Sequence, residues 1–252
     1  MLFDIHTHIS QFSHEELDSM RQRWHLNNVG FVLSAGTNAY DSRESINLSK
    51  KYPDIFAGIG LHPTEINEDY ENQINDVFNL MNDQVITMSE IGLDYLPNSP
   101  DREIQKYCFL RQIEFAAQNK LPIIFHMRNS NEDTLQILEE NDDKIITGAS
   151  HYFQGTLKDA ERIIGLGMYV SFAKTLLRDE GLQKIAQCIP IENIVLETDS
   201  YPQYFKKNRQ RWTEPKDVLL VAEKLAVVKN ISLEKIIQKT TKNSMDLFKL
   251  SS

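Results

Sequence analysis

Cysteine is scarce in this chain of 252 residues. Two thiols, Cys108 and Cys188, cannot build a disulfide framework, so the chain suits a reducing compartment and both are expected as small core fillers. Positive charge is in deficit as well: 27 basic residues face 36 acidic ones, a net charge of -9 with histidines neutral. No global field therefore draws nucleic acid or an anionic membrane, and any polyanion must be held locally. Long apolar runs are missing, since none approaches the ~20 residues that cross a bilayer. The N-terminus has no basic segment followed by an apolar stretch and a cleavage site. These absences predict a cytoplasmic protein, complete as it stands, with no membrane and no stable protein partner. Low-complexity linkers are absent too, so residues 1–252 are expected to form one domain.

Short apolar runs alternate with longer amphipathic stretches. Eight such runs can be read: "LFDIH" from Leu2, "VGFVLSAG" from Val29, "IFAGIGL" from Ile55, "QVITMSEIG" from Gln84, "LPIIFH" from Leu121, "KIITGAS" from Lys144, "GMYVSF" from Gly167 and "NIVLET" from Asn193. Each has the length and the Ile, Val and Phe content of a strand. Between them lie helix signals, including a capping box at Ser13-His14-Glu15-Glu16 and the apolar periodicity of "REIQKYCFLRQIEFAAQ". "SLEKIIQKTTKNSMDLFKL" reads as a closing helix. Eight units of about 31 residues each match the size of a strand-helix crossover. The prediction is a single-domain α/β fold, a (β/α)8 TIM barrel. An open doubly wound sheet is the runner-up, and no Gly-x-Gly-x-x-Gly loop follows the first strand to support it.

Five of the seven histidines end a predicted strand: His6 and His8, His62 in "GLHPTE", His126 in "IIFHMRN" and His151 in "ASHYFQG". His14 and His25 fall elsewhere and are assigned to solvated helix surface. Alternation along a strand sends Asp4, His6 and His8 to one face, with the two imidazoles close enough to clamp one ion. Glu90 in "SEIGLDY" and Asp199 in "LETDSYP" share the strand ends that form the catalytic face of a barrel. Any one strand-end histidine is more often a hydrogen-bonding residue than a ligand. Their coincidence points instead to a metal centre. Four imidazoles (His6, His8, His126, His151) and two carboxylates (Glu90, Asp199) suit zinc, manganese or another first-row divalent ion, and they are too many for one tetrahedral site. Glu90, on a middle strand, is the natural carboxylate to bridge two ions. Two ions about 3.5–4 Å apart can generate hydroxide near neutral pH and clamp an attacked phosphoryl or acyl group. The chemistry so indicated is hydrolysis.

The ordered set "DIHTH", "GLHP", "SEIGLDY", "IIFHMRN", "HYFQGT", "LETDSYP", "TEP" and "TTKNSMDLF" resembles the TatD-type metal-dependent deoxyribonucleases of the amidohydrolase superfamily over essentially the whole chain. That resemblance implies one metal held by His6, His8, Glu90 and Asp199 and a second held by Glu90, His126 and His151. It also implies that Asp199 takes the proton of the nucleophilic water. The implied activity is a 3′ to 5′ exonuclease on DNA, dependent on magnesium or manganese. Asp4 would orient an imidazole, or else serve as a polar group of the barrel interior. Ser89, Asn129 and the order Tyr201-Pro202 depart from the family's usual glycine, aspartate and Pro-Tyr. None of these departures removes a ligand, but they flank the pocket and bear on the substrate.

For the substrate, His62 is surplus to the six ligand positions and is assigned to a phosphate, with a structural histidine before Pro63 as the alternative. Arg128 could pair with phosphate bidentately, or be an ordinary surface arginine. "SYPQYFKKNRQRW" mixes Lys206, Lys207, Arg209 and Arg211 with Tyr201, Tyr204, Phe205 and Trp212, a composition suited to single-stranded DNA; a solvated loop anchored by its aromatics is the alternative. Beside a nuclease, two classes stay open: a small-molecule or aminoacyl ester or phosphoester hydrolase on the same barrel, and a non-catalytic binding protein. The complete ligand set argues against the last.

Overall fold

A computed structural model describes residues 1–145 and 147–250. Eight strands are all parallel and lie in sequential order: β1 (Leu2–Thr7), β2 (Val29–Ala35), β3 (Ile55–Ile59), β4 (Val85–Asp94), β5 (Ile123–Arg128), β6 (Gly148–Ser150), β7 (Tyr169–Phe172) and β8 (Ile194–Leu196). A parallel bridge between Thr7 and Ser200 brings the end of the β8 segment against β1. Two bonds support it, His8 N–H to the Ser200 carbonyl at 2.7 Å and Asp199 N–H to the His6 carbonyl at 3.1 Å. The sheet thus curls into a nearly closed TIM barrel, and each of the eight predicted runs overlaps one of its strands, with β1, β4 and β5 continuing one or two residues beyond their runs.

The helices are α1 (His14–Leu26), α2 (Ala39–Lys51), α3 (Tyr70–Phe78), α4 (Arg102–Gln118), α5 (Asn131–Glu140), α6 (Leu157–Gly165), α7 (Glu180–Cys188), α8 (Val218–Lys229) and α9 (Leu233–Leu247). Short polar residues start them, and at Ser13, Asn38, Asp101, Thr156, Asp179 and Ser232 the side-chain oxygen accepts from amides that the first turn leaves free. Ser13 caps α1 through Glu16 N–H, half of the predicted capping box, while Thr156 and Asp159 form a complete one on α6. In α4 the buried face runs Gln105, Cys108, Phe109, Gln112, Ile113 and Ala116. Its two glutamines act as clamps on the barrel. Gln112 bonds both N–H and C=O of Leu61, and Gln105 bonds both N–H and C=O of Asp94. The backbone beside His62 and at Asp94 is thereby fixed.

Phe3, Ile5, Leu33, Ile124, Ala149 and Val195 pack with Phe31, Phe56, Ile86 and Tyr169 in one cluster that draws on all eight strands. Only the barrel interior can collect side chains from every strand. Phe248 from the end of α9 joins them, its ring 5.4 Å from that of Phe3. One end of the barrel is therefore filled by apolar residues. The polar site occupies the other end.

Phe3 and Ile5 face inward, and this overturns the expectation that Asp4 shares a face with His6 and His8. The β1–β2 register shifts between Asp4 and Thr7, and an irregularity of this kind moves side chains to the opposite face. Asp4 is fully buried but accepts from the N–H and hydroxyl of Thr198, at 2.9 and 2.5 Å. Its Oδ1 also accepts the backbone N–H of His6 at 3.4 Å, and among the described residues it bonds no imidazole nitrogen. Cys108 is the core filler expected, whereas Cys188 is exposed at the end of α7. His25 stays about half exposed and lies 2.9 Å from Asp54.

Candidate metal centre

Glu90 lies at the centre of five imidazoles. Its Oε2 is 3.3 Å from His6 Nε2 and 3.5 Å from His8 Nε2. Its Oε1 is 2.8 Å from His126 Nδ1, 3.3 Å from His151 Nε2 and 3.4 Å from His62 Nε2. Asp199 joins the first group, its Oδ1 3.4 Å from His8 Nε2. The two oxygens of one carboxylate thus face the two groups of residues separately. Glycine makes this convergence possible: Gly92 sits at φ +140°, and a Cβ there would come 2.1 Å from the His126 carbonyl oxygen. Asp199 occupies the left-handed region at φ 52°.

The donor set fits a cation. Three overlapping triads, His6–His8–Glu90, His6–His151–Asp199 and His62–Glu90–His126, each bring their ligand atoms within 4.8 Å of one another. His6 Nε2 and His8 Nε2 are only 3.3 Å apart. Lone pairs that close repel unless a proton or a metal lies between them. The set holds nitrogen and oxygen without thiolate, which suits first-row divalent ions.

In the absence of an ion, protons take over part of that role. Burial opposes charge on His8, but its bonds to Asp199 and Glu90 prevail and push the imidazole up to about 10. Burial likewise opposes His151, and the charges of Glu197 and Glu90 raise it to about 9. His126 is raised against burial by its bonds to Asp94 and Glu90. At His6 and His62 burial wins and the rings are shifted down. Glu90, despite burial, is held well below the usual carboxylate range by the surrounding rings. Asp199, also against burial, is held at about 2, chiefly by its bond to His8.

Two carboxylates escaped the sequence reading. Asp94 Oδ2 lies 3.0 Å from His126 Nε2, on the side of the ring away from Glu90. Glu197 Oε1 lies 2.9 Å from His151 Nδ1, out of line for a strong hydrogen bond. A signal for both was present: Asp94 is four residues after Glu90 and Glu197 is two before Asp199, so each shares its neighbour's parity along the chain.

The centre opens into a cavity of about 480 Å³ whose lining includes His62, Arg128 and Tyr201. His62 Nδ1 accepts the Thr64 N–H at 3.2 Å. A neutral ring with that acceptor carries its proton on Nε2, the nitrogen directed at Glu90. Arg128, exposed at the end of β5, has no side-chain partner among the described residues. The segment after β8 is held from within. Arg209 pairs with Glu16 and Glu214, both at 2.9 Å, and stacks over Trp212 at 4.6 Å. Lys206 bonds Gln203 and the Arg211 carbonyl. Of the four cations expected to grip a strand, Lys206 and Arg209 have these partners, while Lys207 and Arg211 stay exposed beside the open rings of Tyr204 (78% exposed) and Phe205 (70%). A groove of about 550 Å³ between α1 and residues 209–216 is lined by the same ion-pair network and lies apart from the centre.

The family described as TatD related DNase matches residues 3–249. YabD of Bacillus subtilis, a metal-dependent hydrolase, is 29% identical over 258 residues and covers 100% of both chains. The human deoxyribonuclease TATDN3 is 27% identical over 263 residues, covering 98% of this chain and 94% of its own. The crystal structure of the TatD homologue YJJV from Escherichia coli has the same barrel, with a TM-score of 0.88 at 24% identity over 99% of this chain and 98% of that one.

Proposed function

The chain belongs to the TatD-related DNase family and is a metal-dependent hydrolase acting on ester bonds, and from that premise we propose that it is a deoxyribonuclease that uses two divalent ions, magnesium or manganese, to shorten single-stranded DNA from the 3′ end. One observation carries the two-ion reading: Glu90 presents Oε2 to His6 and His8 and Oε1 to His126 and His151. One half of the centre would then be His6, His8, Glu90 and Asp199, the other Glu90, His126 and His151. DNA as the substrate is supported by the activity of TATDN3, and the 3′ to 5′ direction by resemblance to the family.

When bound, the ions supply Lewis acidity that acidifies a water and polarises a phosphoryl oxygen. The chain's own residues supply the rest. Asp199, ionised and partly open to the cavity at 22% side-chain exposure, accepts the proton of the attacking water. His62, neutral with its proton on Nε2, donates to a non-bridging phosphate oxygen. Arg128 at the rim pairs with the same or the next phosphate. Beyond the rim, Lys207 and Arg211 meet the backbone while Tyr204 and Phe205 offer faces for unpaired bases.

Metal-free protein reconstituted separately with magnesium, manganese and zinc would be tested on 5′-labelled single-stranded DNA, on RNA and on a panel of small esters and phosphoesters. The expected result is a metal-dependent ladder of 5′-labelled DNA products. Intact DNA together with turnover of a small ester would overturn the nuclease reading in favour of a small-molecule hydrolase.

A further inference from the structure

The outer nitrogens of the site's histidines are not treated alike. His126 and His151 each have a buried carboxylate on the nitrogen facing away from Glu90, Asp94 at 3.0 Å and Glu197 at 2.9 Å. Among the described residues, His6 and His8 have none on their Nδ1 atoms. His6 Nδ1 is buried with neither a hydrogen bond nor a carboxylate beside it among those residues, whereas His151 Nδ1 lacks an aligned hydrogen bond but has Glu197 at 2.9 Å; His8 Nδ1 meets the Ala35 carbonyl at 3.3 Å.

Both carboxylates are themselves fixed. Asp94 Oδ1 accepts from Leu96 N–H at 3.0 Å and from the Ser99 hydroxyl at 2.8 Å. Its backbone is clamped by Gln105 on both sides. Glu197, wholly buried, accepts from Tyr152 N–H at 2.8 Å and from the Ser171 hydroxyl at 2.6 Å. Glu197 is not part of the cavity lining, and Asp94, which is, turns Oδ2 to His126 Nε2 and Oδ1 to Leu96 and Ser99. Asp94, hydrogen-bonded to His126, fixes that ring's orientation and keeps its proton on Nε2, while the charge of Glu197 beside His151 Nδ1 favours the proton on that nitrogen; either way the inner nitrogen becomes a stronger donor. Here that leaves His126 Nδ1 and His151 Nε2 free on the side of Glu90 Oε1.

We propose that Asp94 and Glu197 are positioning residues that set the affinity of one half of the centre, the His126–His151 half, and leave the His6–His8 half unaffected. This rests on the two-ion reading above. Glu197→Gln and Asp94→Asn keep shape and most hydrogen bonds while removing the charge, so each variant should turn a two-ion protein into a one-ion protein at limiting metal. Partners of this kind change metal affinity by ~10 to 100-fold.

The experiment is a manganese titration of the metal-free full-length chain, read by elemental analysis and electron paramagnetic resonance. Wild type should bind two ions with an exchange-coupled spectrum. Glu197→Gln and Asp94→Asn should each weaken one ion by 10-fold or more, leave the other within about threefold, and give the spectrum of an isolated ion. Glu197→Asp, which restores the charge, should recover part of the loss. If one variant fails to fold, shown by its metal-free melting curve, the other still decides the matter. Equal weakening of both ions, or of neither, in a folded variant would overturn the positioning role. A wild type that takes up only one ion would overturn the two-ion reading instead, a result distinct from any variant's.

Discussion

Replacing Glu90 by glutamine removes one negative charge from the middle of five imidazoles and changes almost nothing in volume. Each of its oxygens lies within 3.5 Å of at least two ring nitrogens, so the perturbation reaches both halves of the centre. A bound ion stabilises the fold by RT ln(1 + [L]/Kd), ~2.7 kcal/mol when free metal is 100 times Kd. If the loss of a shared anionic ligand weakens each ion ~100-fold, that stabilisation falls to ~0.4 kcal/mol per ion at the same metal concentration. For two ions the difference is ~4.6 kcal/mol. The assay has two arms, metal content after dialysis and chemical unfolding at fixed free manganese. Both ions should be lost and most of the metal-dependent stability should vanish. Loss of a single ion would make Glu90 a terminal ligand, and undiminished content would rule out its place in the centre.

In Asp199→Asn, kcat should fall by ~10² to 10⁴, the usual contribution of a positioned general base; near-normal turnover in a metal-replete sample would refute the assignment. The rings of His8 and His151, raised to about 10 and about 9, stabilise the metal-free fold fully below their unfolded value of ~6.5, and that contribution is lost as pH rises through 9 to 10. Melting temperatures of metal-free protein should therefore decline across that window, and metal loading near neutral pH should release protons, measurable by calorimetry in buffers of different ionisation enthalpy. Replacing Lys207 and Arg211 by alanine should flatten the salt dependence of single-stranded DNA binding by ~0.7 per lost phosphate contact, with no change in metal content. An unchanged slope would remove this loop from the substrate path.

Much of the architecture could be read from the chain because a parallel strand is buried on both faces and so shows as a short apolar run. The ends of those runs located the histidines, and the even spacing of His6 and His8 and the placing of Glu90 and Asp199 survive in the structure. Asp4 failed for a reason that spacing cannot reveal. Its strand slips register between Asp4 and Thr7, and residues two apart that span such a slip, as Asp4 and His6 do, no longer face the same way. Asp94 and Glu197 were missed for another reason. They share the parity of Glu90 and Asp199, but in a motif already rich in candidates nothing in composition separates a ligand from the carboxylate that backs one. That distinction depends on distance, 2.8 Å from His126 to Glu90 on one side of the ring and 3.0 Å to Asp94 on the other.

The basic stretch after β8 shows how local charge can mislead and still inform. Four cations in a protein of net charge -9 read naturally as a nucleic-acid grip. Arg209, however, is neutralised by Glu16 and Glu214, and Arg23 also pairs with Glu214 at 2.7 Å. The network spans α1 and the loop, so its first effect is to set where the loop lies. With Trp212 buried beneath Arg209 and Gln203 bonding Thr213 and Lys206, the backbone from Ser200 to Thr213 is tied at several points. A loop so anchored holds Tyr204 and Phe205 in the open at little entropic cost on binding, since their positions are already restricted. For a single strand entering the proposed site, the two exposed rings would then contribute as much as the two free cations. Base stacking is worth ~1–3 kcal/mol per base and is only weakly salt-dependent compared with phosphate contacts. An acidic nuclease built this way would retain single-stranded DNA at salt concentrations that release a purely electrostatic binder. Tyr204→Ala with Phe205→Ala should accordingly weaken binding at high salt about as much as at low salt, whereas loss of Lys207 and Arg211 should matter mainly at low salt.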